Sequence, residues 1–387
     1  MKILYIHNEY ARPSGEEQAS QDIVQLLREH GHEVRWYKRS SAEIAGSKFG
    51  IIKSFFTGIH NPDSAKGLEK LLDEWRPDVI QVQNLYPLIS PSIFAPIKKL
   101  DIPVVMRCPN YRLFCPSGLC LDPAGKVCED CFRGNHEWNC VRKNCLGSRF
   151  KSLGYAVRNA SARKKRAMLD NVDVFIVQSE FQKKKFMDMG IEEHRIGIVP
   201  GLSPTIPEPK DVSVGEGVTF VGRVSAEKGI YEFIEAARML PSVPFRVAGN
   251  LDAAFNKPDD IPANVEFVGF LKGDELNNLY FESRIIVIPS KWYEGFPNVI
   301  TRGMLLKKPI ITTNIGAMQS IIDHNENGLL VHPGDSTDLA NAISLLYSDT
   351  EKCIDFGLKG RAKAESQYSR DSIYEALEEI YNRAINF

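Results

Sequence analysis

The sequence predicts an α/β protein built as two doubly wound parallel-sheet domains. Three observations carry this. At 387 residues the chain is too long for one ordinary core. Short apolar runs alternate with amphipathic stretches in both halves. Between the halves, Pro200, Pro204, Pro207 and Pro209 crowd into one polar stretch, where each ring fixes its φ and disfavours helix before it.

In the first half, residues 2–7 read as a strand, and a helix from about 16 to 30 follows, stopped by Gly31. Further strands are expected near 34–37, 78–82, 104–107 and 174–177, each fed by a helical stretch. The second half repeats the alternation over 218–346. The expected organisation is a first domain over 1–199, a linker over 200–214, a second domain over 215–369 and a terminal helix within 370–387.

Composition excludes several classes. With 48 basic against 49 acidic side chains, the chain is no globally polybasic nucleic-acid binder. No apolar run approaches the ~18 residues that span a bilayer, and residues 1–7 turn polar too soon for a secretory signal. A cytoplasmic protein is expected, at the inner face of the membrane if a surface contact exists. Two stretches suggest one. Ile51, Ile52, Phe55, Phe56 and Ile59 fall at helical spacing beside Lys48 and Lys53, a pattern that fits a membrane surface, a lipid acceptor or an ordinary core-facing helix. A basic stretch over 149–185 includes Arg163, Lys164, Lys165, Arg166 and Lys183 to Lys185, and reads as membrane contact or a solvated face.

Seven of the eight cysteines lie between Cys108 and Cys145. In a reducing compartment a C-x-x-C spacing more often ligates zinc than forms disulfides. Cys128, Cys131, Cys140 and Cys145 are the expected structural zinc ligands of an insert over 108–147, with Cys115, Cys120 and His136 as spare candidates. Unligated or partly disulfide-paired thiols are the alternative.

Two motifs point to chemistry. The first, Gly222-Arg223 through Glu227-Lys228-Gly229, sets a guanidinium fork and a mobile ammonium between an apolar strand and a helix start. A helix N-terminus offers unpaired N–H groups and partial positive charge, so diphosphates bind such places. The second, Ser290 to Ile300, follows the apolar run 285–289. Its Gly295-Phe296-Pro297-Asn298 turn puts Glu294 at the C-terminal end of a strand, where ligands bind in open α/β sheets. Glu294 there is either a sugar-holding carboxylate or a favourable helix N-terminal acid.

With Pro289-Ser290, the Glu294-Gly295-Phe296 turn and the segment from Gly316 to Asn327-Gly328-Leu329-Leu330, these motifs resemble the retaining nucleotide-sugar glycosyltransferases of the GT-B fold, glycosyl transferases group 1, or glycosyltransferase family 4. The resemblance spans nearly the whole chain. It implies two Rossmann-like domains facing across a cleft, with the terminal helix packing back on the first. It implies a UDP- or GDP-linked sugar donor and a glycan or lipid-linked acceptor, in surface polysaccharide or glycolipid assembly. Arg223 and Lys228 would stabilise the leaving diphosphate and Glu294 would hold the donor sugar, aided by Gly295, Phe296, Pro297 and Asn298. Phe270 and Leu271 would lie by the base, Gly15 by the phosphates, and Asn84, Asn110 and Tyr111 on the acceptor side. The cysteine insert, preceded by Asn110 to Pro116, resembles one found in a subset of that family. No D-x-D motif is present, so no catalytic metal is expected.

The chain also departs from the pattern. Arg302 stands where relatives carry a second Glu that binds the ribose, and a guanidinium accepts no hydrogen bond. It is expected to face the diphosphate or pair with an acid. Gln81 and Gln83 replace two histidines, and Pro109 a third. The rivals are therefore a non-catalytic nucleotide-sugar-binding or scaffolding paralogue and a GT-B nucleotide-sugar epimerase.

Overall fold

The computed structural model describes residues 1–10, 15–45, 50–132, 136–204, 206 and 214–387, with backbone alone for 15, 45 and 51–53. It divides into two compact units. The first comprises Met1–Pro123, Cys128–Leu202 and Arg370–Phe387, the second Ala124–Val127 and Ser203–Ser369.

The first unit is a six-stranded parallel sheet: β1 (Lys2–Glu9), β2 (Glu33–Ser40), β3 (Val79–Asn84), β4 (Val104–Arg107), β5 (Val174–Val177) and β6 (Ile196–Ile198), in the order β2-β1-β3-β4-β5-β6. Strands such as β5, Val-Phe-Ile-Val, are buried at every residue because helices cover both faces. The terminal helix Arg370–Ile385 belongs to this unit; its Ile373, Leu377 and Tyr381 join the core of Ile3, Tyr5 and Val105. Tyr381 Oη donates to Gln81 Oε1. Gln81, fully buried, is thus a core residue.

The second unit is also a six-stranded parallel sheet: β7 (Val218–Val221), β8 (Phe245–Ala248), β9 (Val265–Gly269), β10 (Ile285–Ile288), β11 (Ile310–Thr313) and β12 (Gly328–Val331), in the order β12-β11-β10-β7-β8-β9. Counted from its own first strand, that is the order 3-2-1-4-5-6, with the strand order reversing between β7 and β10. In the first unit the reversal lies between β1 and β3. These two switch points are where a crevice opens at the strands' carboxyl ends.

Candidate active site

The two motifs meet at the switch point of the second sheet. β7 ends in Gly222-Arg223 and β10 in Pro289-Ser290, and Lys291 N donates to Glu227 O at 2.8 Å, tying one loop to the other. Gly229 makes the approach possible. Its φ is +79°, and a Cβ there would lie 2.0 Å from Pro289 O.

Glu294 is buried, and three donors converge on its Oε1: Lys228 Nζ at 2.5 Å, Ser290 Oγ at 2.7 Å and Trp292 Nε1 at 2.8 Å. Oε2 takes none of them and is left for a hydroxyl donor. Gly316, at φ +63°, packs under this turn, where a Cβ would stand 3.2 Å from Tyr293 Cα and 3.4 Å from Glu294 N. No side chain caps the helix Asn298–Leu305 or the helix Ile230–Met239, so their first N–H groups remain open to an anion.

Arg223 is half exposed and bound by two carboxylates, Glu227 Oε1 at 2.5 Å and Asp252 Oδ2 at 3.1 Å. A diphosphate must displace these to use its fork. Phe270, 62% exposed, follows β9, while Leu271 and Phe296 pack partly into the core, Phe296 edge-on to Tyr368. Pro297 is buried and Asn298 exposed. Arg302 is held by a neighbouring side chain of the helix Gly273–Glu282. Its Nη1 donates to Asn277 Oδ1, an amide rather than an acid.

At the switch point of the first sheet, Gly15 opens the helix Gly15–Glu29; residues 11–14 of its loop lie outside the described residues. Asn84 and Asn110 line a cavity of about 40 Å³ there, together with Glu16, Gln83 and Pro109. Both amides also hold backbone: Asn84 Nδ2 donates to Asn8 O at 2.8 Å, and Asn110 Oδ1 accepts from Arg112 N at 3.0 Å. Tyr111 lies apart from that lining. It is 1% exposed and packs beside Phe132.

Sequence reasoning missed Glu16, which accepts from Tyr10 Oη at 2.9 Å and Gln83 Nε2 at 3.3 Å. An acid directly after Gly15 at the helix start was the available signal. It also missed Arg158, a 7%-exposed guanidinium inside what reads as a solvated basic stretch.

The structure does not bring Cys128, Cys131, Cys140 and Cys145 into one metal-holding set: among the described residues no three His, Cys, Asp or Glu side chains converge on an ion. Cys140 is hydrogen-bonded to Cys145, and Cys128 Sγ accepts from Lys143 Nζ at 3.2 Å. A C-x-x-C spacing fixes one pair only, and the intervening turns decide where the other thiols go. Cys120 donates to Cys115, which, with Ser117 and two backbone N–H groups, brings the Cys115 thiol down to about 5.

Two parallel six-stranded sheets of Rossmann type, with cations and an acid at the switch point of the second, define the GT-B class. The model of the family described as glycosyl transferases group 1 matches residues 215–349. The capsular polysaccharide biosynthesis glycosyltransferase CapM of Staphylococcus aureus is 30% identical over 175 residues, 43% of this chain and 45% of that protein. An uncharacterised 42.6 kDa protein in the cps region of Klebsiella pneumoniae is 24% identical over 68% of this chain and 64% of its own. The chain thus spans between about half and two thirds of the curated relatives it matches. Among solved structures, HepE of Anabaena in complex with UDP has a TM-score of 0.65 at 18% identity, covering 99% of this chain and 100% of that one. No helix among the described residues is long and apolar enough to cross a membrane.

Proposed function

We propose that the protein transfers a sugar from a UDP-sugar to a glycan or lipid-linked acceptor, with retention and without a catalytic metal, in surface polysaccharide assembly at the cytoplasmic face of the membrane. One observation carries this reading: the Lys228–Glu294 pair, locked by Ser290 and Trp292 at the switch point of the second sheet. Its polysaccharide setting follows the names of CapM and the cps-region relative, and UDP follows the ligand in HepE.

Glu294 Oε2 accepts hydroxyls of the donor sugar while Oε1 stays with Lys228. The ammonium keeps further hydrogens for a phosphate oxygen, and the open helix N-termini add fixed partial charge where the leaving diphosphate gains its own. Arg223 leaves Glu227 and Asp252 to grip the outer phosphate. The departing phosphate oxygen takes the acceptor proton as the new bond forms on the same face, so no histidine base is required at the positions of Gln81, Gln83 and Pro109.

A second reading, a binding-only paralogue, draws on Arg302, which offers the ribose no acceptor and is engaged by Asn277. A panel of UDP- and GDP-sugars separates the two when released nucleoside diphosphate is assayed with and without membrane extract. Release only with extract supports the transferase. Binding without release supports the paralogue, and interconversion of the sugar itself indicates an epimerase.

A further inference from the structure

The first unit holds a cavity of about 290 Å³ between the helices Gly50–Ile59 and Arg149–Lys164, with Phe55, Tyr86, Arg112, Phe150, Tyr155 and Arg158 in its wall. Its chemistry is uneven. The aromatic rings and Pro87 make much of the lining apolar, yet two guanidiniums stand within it.

Arg158 is the less satisfied of the two. Its guanidinium carbon lies 4.0 Å from the centre of the Tyr86 ring and 4.2 Å from that of Tyr155, so both rings attract the charge. Tyr155 also hydrogen-bonds the guanidinium, but the Nε and Nη2 of Arg158 are buried with no hydrogen-bond partner, and no carboxylate is among the groups acting on it. Those two nitrogens form one edge of the guanidinium plane, the edge that grips a phosphate or carboxylate with two parallel bonds. Arg112, close enough to repel it, leaves its own Nε unpartnered, and the Tyr86 hydroxyl is unpartnered too. Buried charge without a partner is costly, and leaving several adjacent donors unfilled is unusual unless a ligand supplies the acceptors.

Apolar surface continues outward. Phe56 is 64% exposed on the first helix, and Phe150 and Leu153 are exposed on the second, with Lys151 at the rim. A free phosphate would leave the aromatic wall unused, and a neutral glycan would leave the guanidiniums unfilled.

We propose that this cavity is an acceptor subsite that takes the phosphate group of an amphiphile, the guanidinium edges of Arg158 and Arg112 binding the phosphate and the aromatic wall receiving the apolar chain. This rests on the transferase reading above, since it specifies the acceptor of that reaction. Filling the donors requires small side-chain shifts of the two arginines towards the bound oxygens.

Farnesyl diphosphate, inorganic diphosphate and farnesol serve as probes, titrated calorimetrically into the full chain with UDP titrated separately. The expected order is farnesyl diphosphate far tighter than the other two, with the UDP and farnesyl diphosphate sites filling independently. Arg158→Met and Arg158→Lys should each weaken farnesyl diphosphate at least tenfold and leave UDP unchanged, while Lys228→Ala should do the reverse. Inorganic diphosphate binding as tightly in an Arg158-dependent way would assign the site to a free phosphate and overturn the amphiphile. Equal binding of farnesol, or competition between farnesyl diphosphate and UDP on wild type, overturns the subsite without any variant. So does undiminished binding by Arg158→Lys. Failure of UDP to bind at all counts against the transferase reading instead.

Discussion

The switch point of the second unit and the aromatic cavity of the first handle positive charge in opposite ways. In the second unit each cation is held by carboxylates: Lys228 by Glu294, Arg223 by Glu227 and Asp252. In the first, Arg158 is held by the faces of two tyrosines, and Arg112 Nη1 reaches only Tyr10 Oη, at 3.4 Å. A paired cation keeps its geometry when the site is empty, and a doubly charged ligand competes for it. A cation held by rings keeps its hydrogen-bonding edge unspent. On the proposed function, the first arrangement suits a ligand that leaves as a diphosphate after each turnover, and the second an anion that binds and stays intact.

The largest expected effect breaks the paired arrangement. Glu294→Ala strands Lys228 in a site where both side chains are mostly buried, and losing one partner of such a pair costs ~3–5 kcal/mol. Turnover should fall by about 10²–10³, as for loss of a charge-stabilising contact, and Lys228→Ala should do the same. The double variant should be more stable than either single one, because no charge is left stranded. Additive losses in a thermal denaturation cycle would show that the pair is not coupled. EDTA should leave wild-type turnover unchanged, and strict dependence on added manganese would remove Arg223 and Lys228 from their proposed role.

The second unit was the more legible in sequence, and the reason is local. Its strands are continuous apolar runs, and its charged groups fall at fixed offsets from glycines whose backbone angles only glycine adopts readily, as at Gly229 and Gly316. The first unit's sheet was equally plain, but its cavity was not. Arg158 belongs to a helix of modest amphipathic pattern in a stretch dense with lysine and arginine; Asp170 neutralises Arg166 locally, but three more acids come from elsewhere in the chain. Arg163 binds Glu137 and Lys185 binds Glu129, each at 2.5 Å, while Lys183 binds Glu193 at 2.7 Å. With its neighbours neutralised from afar, the stretch is not a uniform basic face, and the one inward arginine had no linear mark. Tyr111 shows the opposite limit: a polar aromatic beside a motif reads as a ligand contact in sequence, and only the structure shows that it is 1% exposed.

A smaller effect is expected at Gly316. Alanine there adds strain at a positive φ and pushes on Tyr293 and Glu294, so Gly316→Ala should cost ~1–3 kcal/mol. Because the push reaches the Glu294 turn, the rate should fall more than UDP affinity does. Equal loss of both would place the damage in the fold instead.

Lys308 sharpens the comparison from within the second unit. It is 1% exposed, its Nζ donates to Phe281 O at 2.7 Å, and burial holds its pKa down at about 8. Between about pH 8 and the ordinary lysine value the unfolded chain binds more protons than the folded one, so this group's contribution to stability rises with pH across that window. Lys308→Met should therefore stabilise the second unit by ~1 kcal/mol at pH 7, since replacing a buried charge by an apolar side chain of similar size is often favourable. The gain should vanish by pH 10. A variant less stable at pH 7 would mean that the Phe281 carbonyl matters more than the desolvated charge.

The smallest effect is expected where the contrast is strongest. Arg158→Met removes two cation–π contacts, which favour the native state, together with two unfilled donors and the repulsion from Arg112, which oppose it. These nearly cancel, so protection of the helix Arg149–Lys164 against hydrogen exchange should change by no more than ~1 kcal/mol, the size of one such contact. A guanidinium that waits for a ligand contributes little to the empty fold, whereas one that serves as structure would be missed at once. A loss above about twice that contact value would put Arg158 among the structural groups, and the two sites would then differ only in how each secures its own fold.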